Sequence, residues 1–325
     1  MQVRLRGRMC VPLLTGAQRQ TQEEGKLKRN HVLSIILLVL LLIVVPMVAA
    51  CGGEEETTTT APATETTAAG EDLAAAADEA IAAVTKSSII ETPPTMKEGV
   101  LQGGSDTAFP PMEFSDEQGG YIGFDVDLCT ALAKKMGLEL EVVSTAWDGI
   151  IPALLSDRYD IIMSAMSITE ERKEQVNFTN PYLPGILAIS APIDKPVMTK
   201  EELVGKTVGV QVDTTGQFAI EEMEGIKEIK KYATILEAFM DMAAGRVECV
   251  VNDEPVNAYI IQTNTDYQAK FANTGGIVTV NDYGYAIKKE NTALLEAMNL
   301  GLTELINEGV YQKICKKWGL TGIIN

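Results

Sequence analysis

From residue 99 to residue 318 the chain repeats one pattern. A short apolar or alternating run is followed by a segment with apolar residues at helical spacing, then by a glycine or a turn. Strands are expected at residues 99–103, 138–143, 159–163, 206–211 and 247–252. Helices are expected over 125–136, stopped by Gly137, over 147–156, from about Thr215 onward, and over 233–244, 291–308 and 310–318. Strands that alternate with helices imply parallel sheets with helices on both faces, so the fold class is α/β. Two apolar segments, 186–191 and 284–287, stand outside the alternation. If both are crossovers, lobe one comprises residues 97–186 plus 283–325 and lobe two residues 187–282. Ligands of such sheets sit at the carboxyl ends of strands, which here means the cleft between the lobes.

The first 50 residues are of another kind. They hold seven Lys and Arg against two acids, and from Val32 to Ala50 they are uncharged and almost wholly apolar. A basic stretch, an apolar core and small residues at its end make an export signal. The apolar run is also long enough to span a bilayer as a helix. Val48-Ala49-Ala50-Cys51 favours the first reading, because it resembles a bacterial lipobox whose cysteine, Cys51, is lipidated and becomes the new N-terminus. Residues 1–50 are therefore expected to be a lipoprotein signal peptide; the basic part before Lys26 is long for one, which points to a start downstream of Met1. Both readings put the rest of the chain outside the cytoplasm and on a membrane. Residues 52–70 are rich in Thr, Ala and Glu and cannot bury enough surface to fold. A flexible tether is expected over 51–96, with a short helix at 71–86 whose small side chains offer little to a core.

Charge and histidine content narrow the function. From residue 51 onward, 20 Lys and Arg face 43 Asp and Glu, a net charge of about −23. Nucleic acid is not an expected partner, since phosphate binding needs clustered cations. The single histidine, His31, lies in the leader, so Ser-His-Asp and Cys-His catalysis and His-ligated zinc are excluded from the mature chain. No metal site or cofactor is expected; Asp125 and Asp127 look like acids at a helix start. Cys129, Cys249 and Cys315 sit in apolar or helical contexts and are expected as buried thiols, with one bridge among them left open.

Several stretches then decide the family. They are Gly104-Ser-Asp-Thr-Ala-Phe-Pro-Pro-Met-Glu-Phe114, Gly123-Phe-Asp-Val-Asp-Leu128, Trp147-Asp-Gly-Ile-Ile-Pro-Ala-Leu154, and Asp160-Ile-Ile-Met-Ser-Ala-Met-Ser-Ile-Thr-Glu-Glu-Arg172. Gly209-Val-Gln-Val-Asp-Thr-Thr-Gly216, Asn252-Asp253 and Tyr311-Gln-Lys-Ile-Cys-Lys-Lys-Trp-Gly319 complete the set. In this order, from about residue 98 to 321, the chain resembles the family 3 extracellular solute-binding proteins, the polar amino-acid receptors of ABC importers. The resemblance implies a two-lobed, periplasmic-binding-protein-like (type II) fold with hinge strands. It also implies a non-enzymatic, monomeric receptor that closes on a free amino acid and hands it to an ABC permease in the membrane.

The chemistry of a free amino acid agrees with the residues the resemblance singles out. Burying a carboxylate and an ammonium on adjacent atoms is costly unless each is paired and hydrogen-bonded. Arg172 matches the arginine that grips the carboxylate, which a guanidinium can do bidentately. Ser167, Thr214 and Thr215 match further donors to it. Asp253 matches the ammonium partner, with Ser164 and Ala165 supplying acceptor oxygens. Phe109 and Trp147 match aromatic walls; Asp106, Gln211 and Asn252 match positions that vary with ligand class and suit a polar, uncharged or basic side chain. Each also has an ordinary reading: Arg172 on a solvated helix face, Asp253, Thr214 and Thr215 as helix caps, Phe109 and Trp147 in a core, Asp106 bonding its own turn. Three rivals stand beside the receptor, one of them a structural lipoprotein, which would not need so complete a set of ligand groups. A dehydratase on the same scaffold would need Asp106, Asp253 or Glu254 as acid or base. A sensory domain would need an output segment, which is not expected because none follows the body before Asn325.

Overall fold

The apolar runs of the first third assemble into one sheet. Strand β1 (Val100–Ser105) pairs in parallel with β2 (Glu139–Ser144) on one edge and with β3 (Ile161–Ile162) on the other; β4 (Asn177–Phe178) lies further out. Gly104 permits this packing, since a Cβ there would lie 2.1 Å from the Tyr159 ring. The computed structural model describes residues 65–322 except 275 and 277. The leader, Cys51 and residues 51–64 lie outside the described residues.

A second sheet follows. Its strands are β5 (Leu183–Pro192), β6 (Thr207–Gln211), β7 (Glu228–Tyr232), β8 (Cys249–Asp253), β9 (Phe271–Asn273) and β10 (Thr279–Tyr283). The order is β7-β6-β8-β5-β9, with β10 also on β5. The chain then returns to the first sheet, where β11 (Ala286–Ile287) fits antiparallel between β3 and β4. The expected parallel arrangement therefore describes the nucleus of each sheet, β2-β1-β3 and β7-β6-β8. Strands next to the passages run antiparallel, because a chain that leaves a sheet and comes back must enter it from both directions.

Residues 186–191 are not a crossover. They lie inside β5, hydrogen-bonded along both edges. The passages between the sheets are at 179–182 and 284–285, side by side: Thr179 N–H donates to the Tyr285 carbonyl and Tyr182 N–H to that of Tyr283, each at 3.0 Å. The Tyr182 and Tyr285 rings stack at 4.4 Å between centroids, both fully buried. The sequence hides this boundary because β5 is mostly buried and stays apolar well past the passage.

Helices cover the sheets. Helix α1 (Glu65–Ala83) precedes the body, and α2 (Phe124–Met136) buries Leu128, Leu132 and Met136. Gly123 must be glycine at the start of α2: its φ is 140° and a Cβ would meet the Met112 carbonyl at 2.2 Å. Gly137 ends the helix in the left-handed conformation. Cys129, Cys249 and Cys315 are free and buried.

The N-terminal segment corrects the expectation of a tether reaching residue 96. Helix α1 packs on the C-terminal helix of the body, Val310–Lys317. Ala77, Ala80 and Ile81 are buried there. Lys134 caps the end of α1 through the Ile81 carbonyl (2.9 Å), Lys317 reaches Asp78 (2.6 Å), and Ser87 donates to Glu304 (2.7 Å). The small side chains taken to be poor core material are what let the helix approach so closely.

Candidate functional site

Three short helices bring polar side chains to the gap between the sheets. Helix α3 (Glu170–Gln175) starts at Thr169, whose hydroxyl accepts from the Arg172 N–H and so fixes Arg172 in the first turn. Arg172 turns inward and is only 7% exposed, which removes the solvated-face reading. Its Nη1 donates to the Ser167 carbonyl at 3.0 Å and its Nη2 to the Asp213 carbonyl at 3.4 Å. The guanidinium carbon lies 5.2 Å from the centroid of the Trp147 ring. Each terminal nitrogen keeps one further proton for another acceptor. Burial lowers the Arg172 pKa to about 10, opposed by Asp253 and Glu171.

Asp253 comes from the other sheet. It ends β8 and stands at the N-cap position of α5 (Glu254–Thr263) once α4 (Thr215–Glu221) is counted before it, yet its side chain makes no capping bond. The carboxylate, beside the Tyr283 hydroxyl, is therefore not spent on the helix end. Burial raises its pKa to about 7, against the Tyr283 hydroxyl and the Arg172 guanidinium. No ion pair of 4.0 Å or less joins Asp253 to Arg172.

Both residues line one small cavity. With them stand Asp106, Phe109, Trp147, Ser164, Ala165, Ser167, Gln211, Thr214 and Thr215, closed around a cavity of about 20 Å³. Phe109, 7% exposed, and the half-buried Trp147 form its apolar walls. Asn252 is the one expected residue outside the lining. Side chains alternate along a strand, so with Asp253 facing the cavity Asn252 turns away, bonding Asn257 at 3.3 Å.

Polar contacts cross the gap. Gln211 donates to Asp106 at 2.7 Å and to the Ala233 carbonyl at 3.1 Å. Trp147 Nε1 donates to the Asp213 carbonyl at 2.9 Å. Burial pushes Asp106 up to about 6; the Gln211 bond opposes this and Asp148 adds to it. The Thr214 hydroxyl is committed twice, donating to the Gln211 carbonyl (2.8 Å) and accepting from Gln217 N–H (3.2 Å). Thr214 thus does cap α4, and what it still offers the cavity is backbone.

Three residues that build this site were not among the expected ones. Asp213 adopts φ 56°, which aims its carbonyl at Trp147 and Arg172. Glu113 and Asp125 are fully buried behind the cavity wall. Glu113 accepts from Ser164 at 2.6 Å, and Asp125 accepts from the Ala165 N–H at 2.8 Å. Ala165 has φ 40°, a left-handed conformation costing a non-glycine residue roughly 1 kcal/mol or more; the Asp125 bond holds it there. The sequence signal was their place in the quoted motifs, but an acid near a turn or helix start ordinarily faces water.

Comparison with known proteins now decides the family. Residues 101–321 match the model for bacterial extracellular solute-binding proteins, family 3. The chain belongs to that family. Among curated members, ABC transporter arginine-binding protein 1 of Escherichia coli K12 is 33% identical over 220 residues, covering 66% of this chain and 88% of that protein. A mutant of the arginine-binding protein of T. maritima superposes with a TM-score of 0.64 at 39% identity, covering 68% of this chain and 95% of that one. An ancestral arginine-binding protein bound to glutamine gives 0.65 at 38% identity, covering 68% and 98%. This solute-binding protein therefore shares their two-lobed fold and is a binding protein, not an enzyme. Among its described residues no helix is long and apolar enough to cross a membrane.

Proposed function

We propose that this solute-binding protein captures a free amino acid with a cationic or amide side chain, arginine foremost, and delivers it to an ABC permease. The observation that carries this is that Arg172, on helix α3, and Asp253, at the end of β8, line one cavity without pairing with each other. Arg172, with Ser167 and the Thr214-Thr215 backbone, takes the carboxylate; Asp253, with Ser164 and Ala165, takes the ammonium. Each charge leaves water only when both lobes are in place, so the ligand favours the closed form.

The far end of the cavity favours a donor-rich side chain. Both Gln211 amide protons are used by Asp106 and Ala233, which leaves the Gln211 carbonyl oxygen and an Asp106 oxygen as acceptors. A guanidinium or a carboxamide supplies donors to both, and the arginine-binding relative and the glutamine-bound ancestral protein reported above support the same reading. Lobe one is read as residues 97–182 with 284–322 and lobe two as the chain between. Cys51 is read as the lipidated residue that holds the receptor on the membrane surface.

A thermal-shift panel of the twenty amino acids tests the reading. Arginine is expected to stabilise most, with glutamine, lysine or histidine next; stabilisation by aliphatic or acidic amino acids alone would overturn it.

A further inference from the structure

Ser164 lines the cavity, and its hydroxyl is already engaged on two sides. It accepts from the Asp106 N–H at 3.0 Å and donates to Glu113 Oε1 at 2.6 Å. A hydroxyl has one proton and two lone pairs. Whatever Ser164 presents to the cavity is then its second lone pair, an acceptor and not a donor. Glu113 sits behind it in a three-stranded sheet with no exposed surface, and its second oxygen, Oε2, has no donor within the described residues.

Asp125 is an acceptor for a proton carried on that oxygen. It is equally buried, and it is the charge that acts most strongly on Glu113. Asp125 already collects the Ala165 N–H and the Tyr182 and Tyr285 hydroxyls, at 2.8, 3.0 and 3.3 Å. Donors thus converge on Asp125 while Glu113 Oε2 has none, which identifies Asp125 as the ionised member and Glu113 as the member carrying a proton. Two adjacent buried carboxyls do not both ionise. A proton on Oε2 turned toward Asp125 satisfies both groups and leaves Oε1 to accept from Ser164.

We propose that Glu113 is a positioning residue for the ammonium end of the ligand: bridging Asp125 to Ser164, it commits the Ser164 proton away from the cavity, so that the ligand meets an acceptor there. The same bridge joins the two backbone turns, at Asp106 and at Ala165, that frame the ammonium subsite. This inference rests on the amino-acid reading above and assigns to that site a residue that does not touch the ligand.

Calorimetry on the full chain, with L-arginine and L-glutamine as probes, tests it. Glu113→Gln keeps the bridge, since its carbonyl oxygen accepts from Ser164 and its amide donates to Asp125; affinity stays within about threefold of the parent's. Glu113→Met removes the bridge at similar volume and weakens binding about tenfold. Ser164→Ala weakens it to a similar degree, and the Glu113→Met loss disappears when measured in the Ser164→Ala background. A loss of the same size with or without the Ser164 hydroxyl makes Glu113 a packing residue and overturns the proposal, as does a tenfold loss in Glu113→Gln. Should Glu113→Met not fold, infrared spectroscopy decides: the parent shows a protonated-carboxyl stretch that Glu113→Gln lacks, and a parent without that band overturns the proposal. A parent that binds neither amino acid overturns the functional reading and this inference with it, a result separable from any effect of the variants.

Discussion

Gln211, the last residue of β6, donates its side-chain amide to Asp106 at 2.7 Å, and Asp106 directly follows β1 of the other sheet. The bond closes the side-chain end of the cavity and points its remaining acceptors inward. Asp106→Asn should therefore separate cationic from neutral ligands. Arginine affinity is expected to fall tenfold or more, the scale of one charge-assisted hydrogen bond, while glutamine affinity changes less than threefold. Titration of both ligands into both proteins checks this. Equal losses would place Asp106 away from the ligand side chain.

Arg172 is the group proposed for the carboxylate end. Its two carbonyl bonds and the Trp147 face hold the fork in place before any ligand arrives, so binding does not have to order it. Arg172→Ala is expected to cost about 2–5 kcal/mol of affinity, because the ligand carboxylate stays buried without its partner. Arg172→Lys should recover little of this, since an ammonium cannot reproduce the planar fork. Unchanged affinity in a folded Arg172→Ala protein would reject the assignment.

The expected site residues, apart from Asn252, line one cavity because their types follow from the ligand: a zwitterion calls for a guanidinium, an acid and neutral donors, and these stand in recognisable motifs. Asn252 lies outside that lining because side chains alternate along the strand beside Asp253. The supporting acids were illegible for a different reason. Nothing in Pro111-Met-Glu-Phe114 or Phe124-Asp-Val-Asp127 says that Glu113 and Asp125 are buried, since that depends on Ser164, Tyr182 and Tyr285, 51, 57 and 160 residues along the chain from their partners. The passages between lobes were likewise blurred, because apolar strand continues on one side and buried tyrosines on the other.

Asp253 predicts how binding depends on pH. Its pKa, about 7 when buried in the closed cavity, is lowered by a bound ammonium, which favours the carboxylate. Below about pH 7 the ligand must displace a proton, so affinity should fall on acidification, by up to about tenfold per pH unit. Asp253→Asn should bind weakly with a flatter profile. Stability should move the opposite way. Asp253 at about 7 and Asp106 and Asp125 at about 6 lie above their unfolded value of 3.8. Between those values the folded state holds protons that the unfolded chain has lost, so stability is lost as pH rises through this window. The ligand-free protein is expected to melt higher at about pH 5 than at about pH 8; the reverse order would count against burial of these acids.

Helix α1 gives a prediction about folding that is independent of the ligand. It lies outside residues 101–321, which match the family, yet it buries Ile81 to 8% exposure and ends on the Lys134 cap. A tether would contribute nothing to the body's stability. A packed helix contributes through its apolar face, and Ile81→Ala should cost about 2 kcal/mol or more from the lost side chain and the cavity left behind. Lys134→Met should add a smaller loss, since the Ile81 carbonyl then keeps only the Val84 N–H at 3.3 Å. Neither change reaches the cavity between the sheets, so arginine affinity should stay as in the parent. Chemical denaturation of the two variants, followed by calorimetry on the folded proteins, measures both quantities. An unaltered unfolding midpoint for Ile81→Ala would mean that α1 detaches from the body in solution, and the tether would then extend toward residue 96 after all.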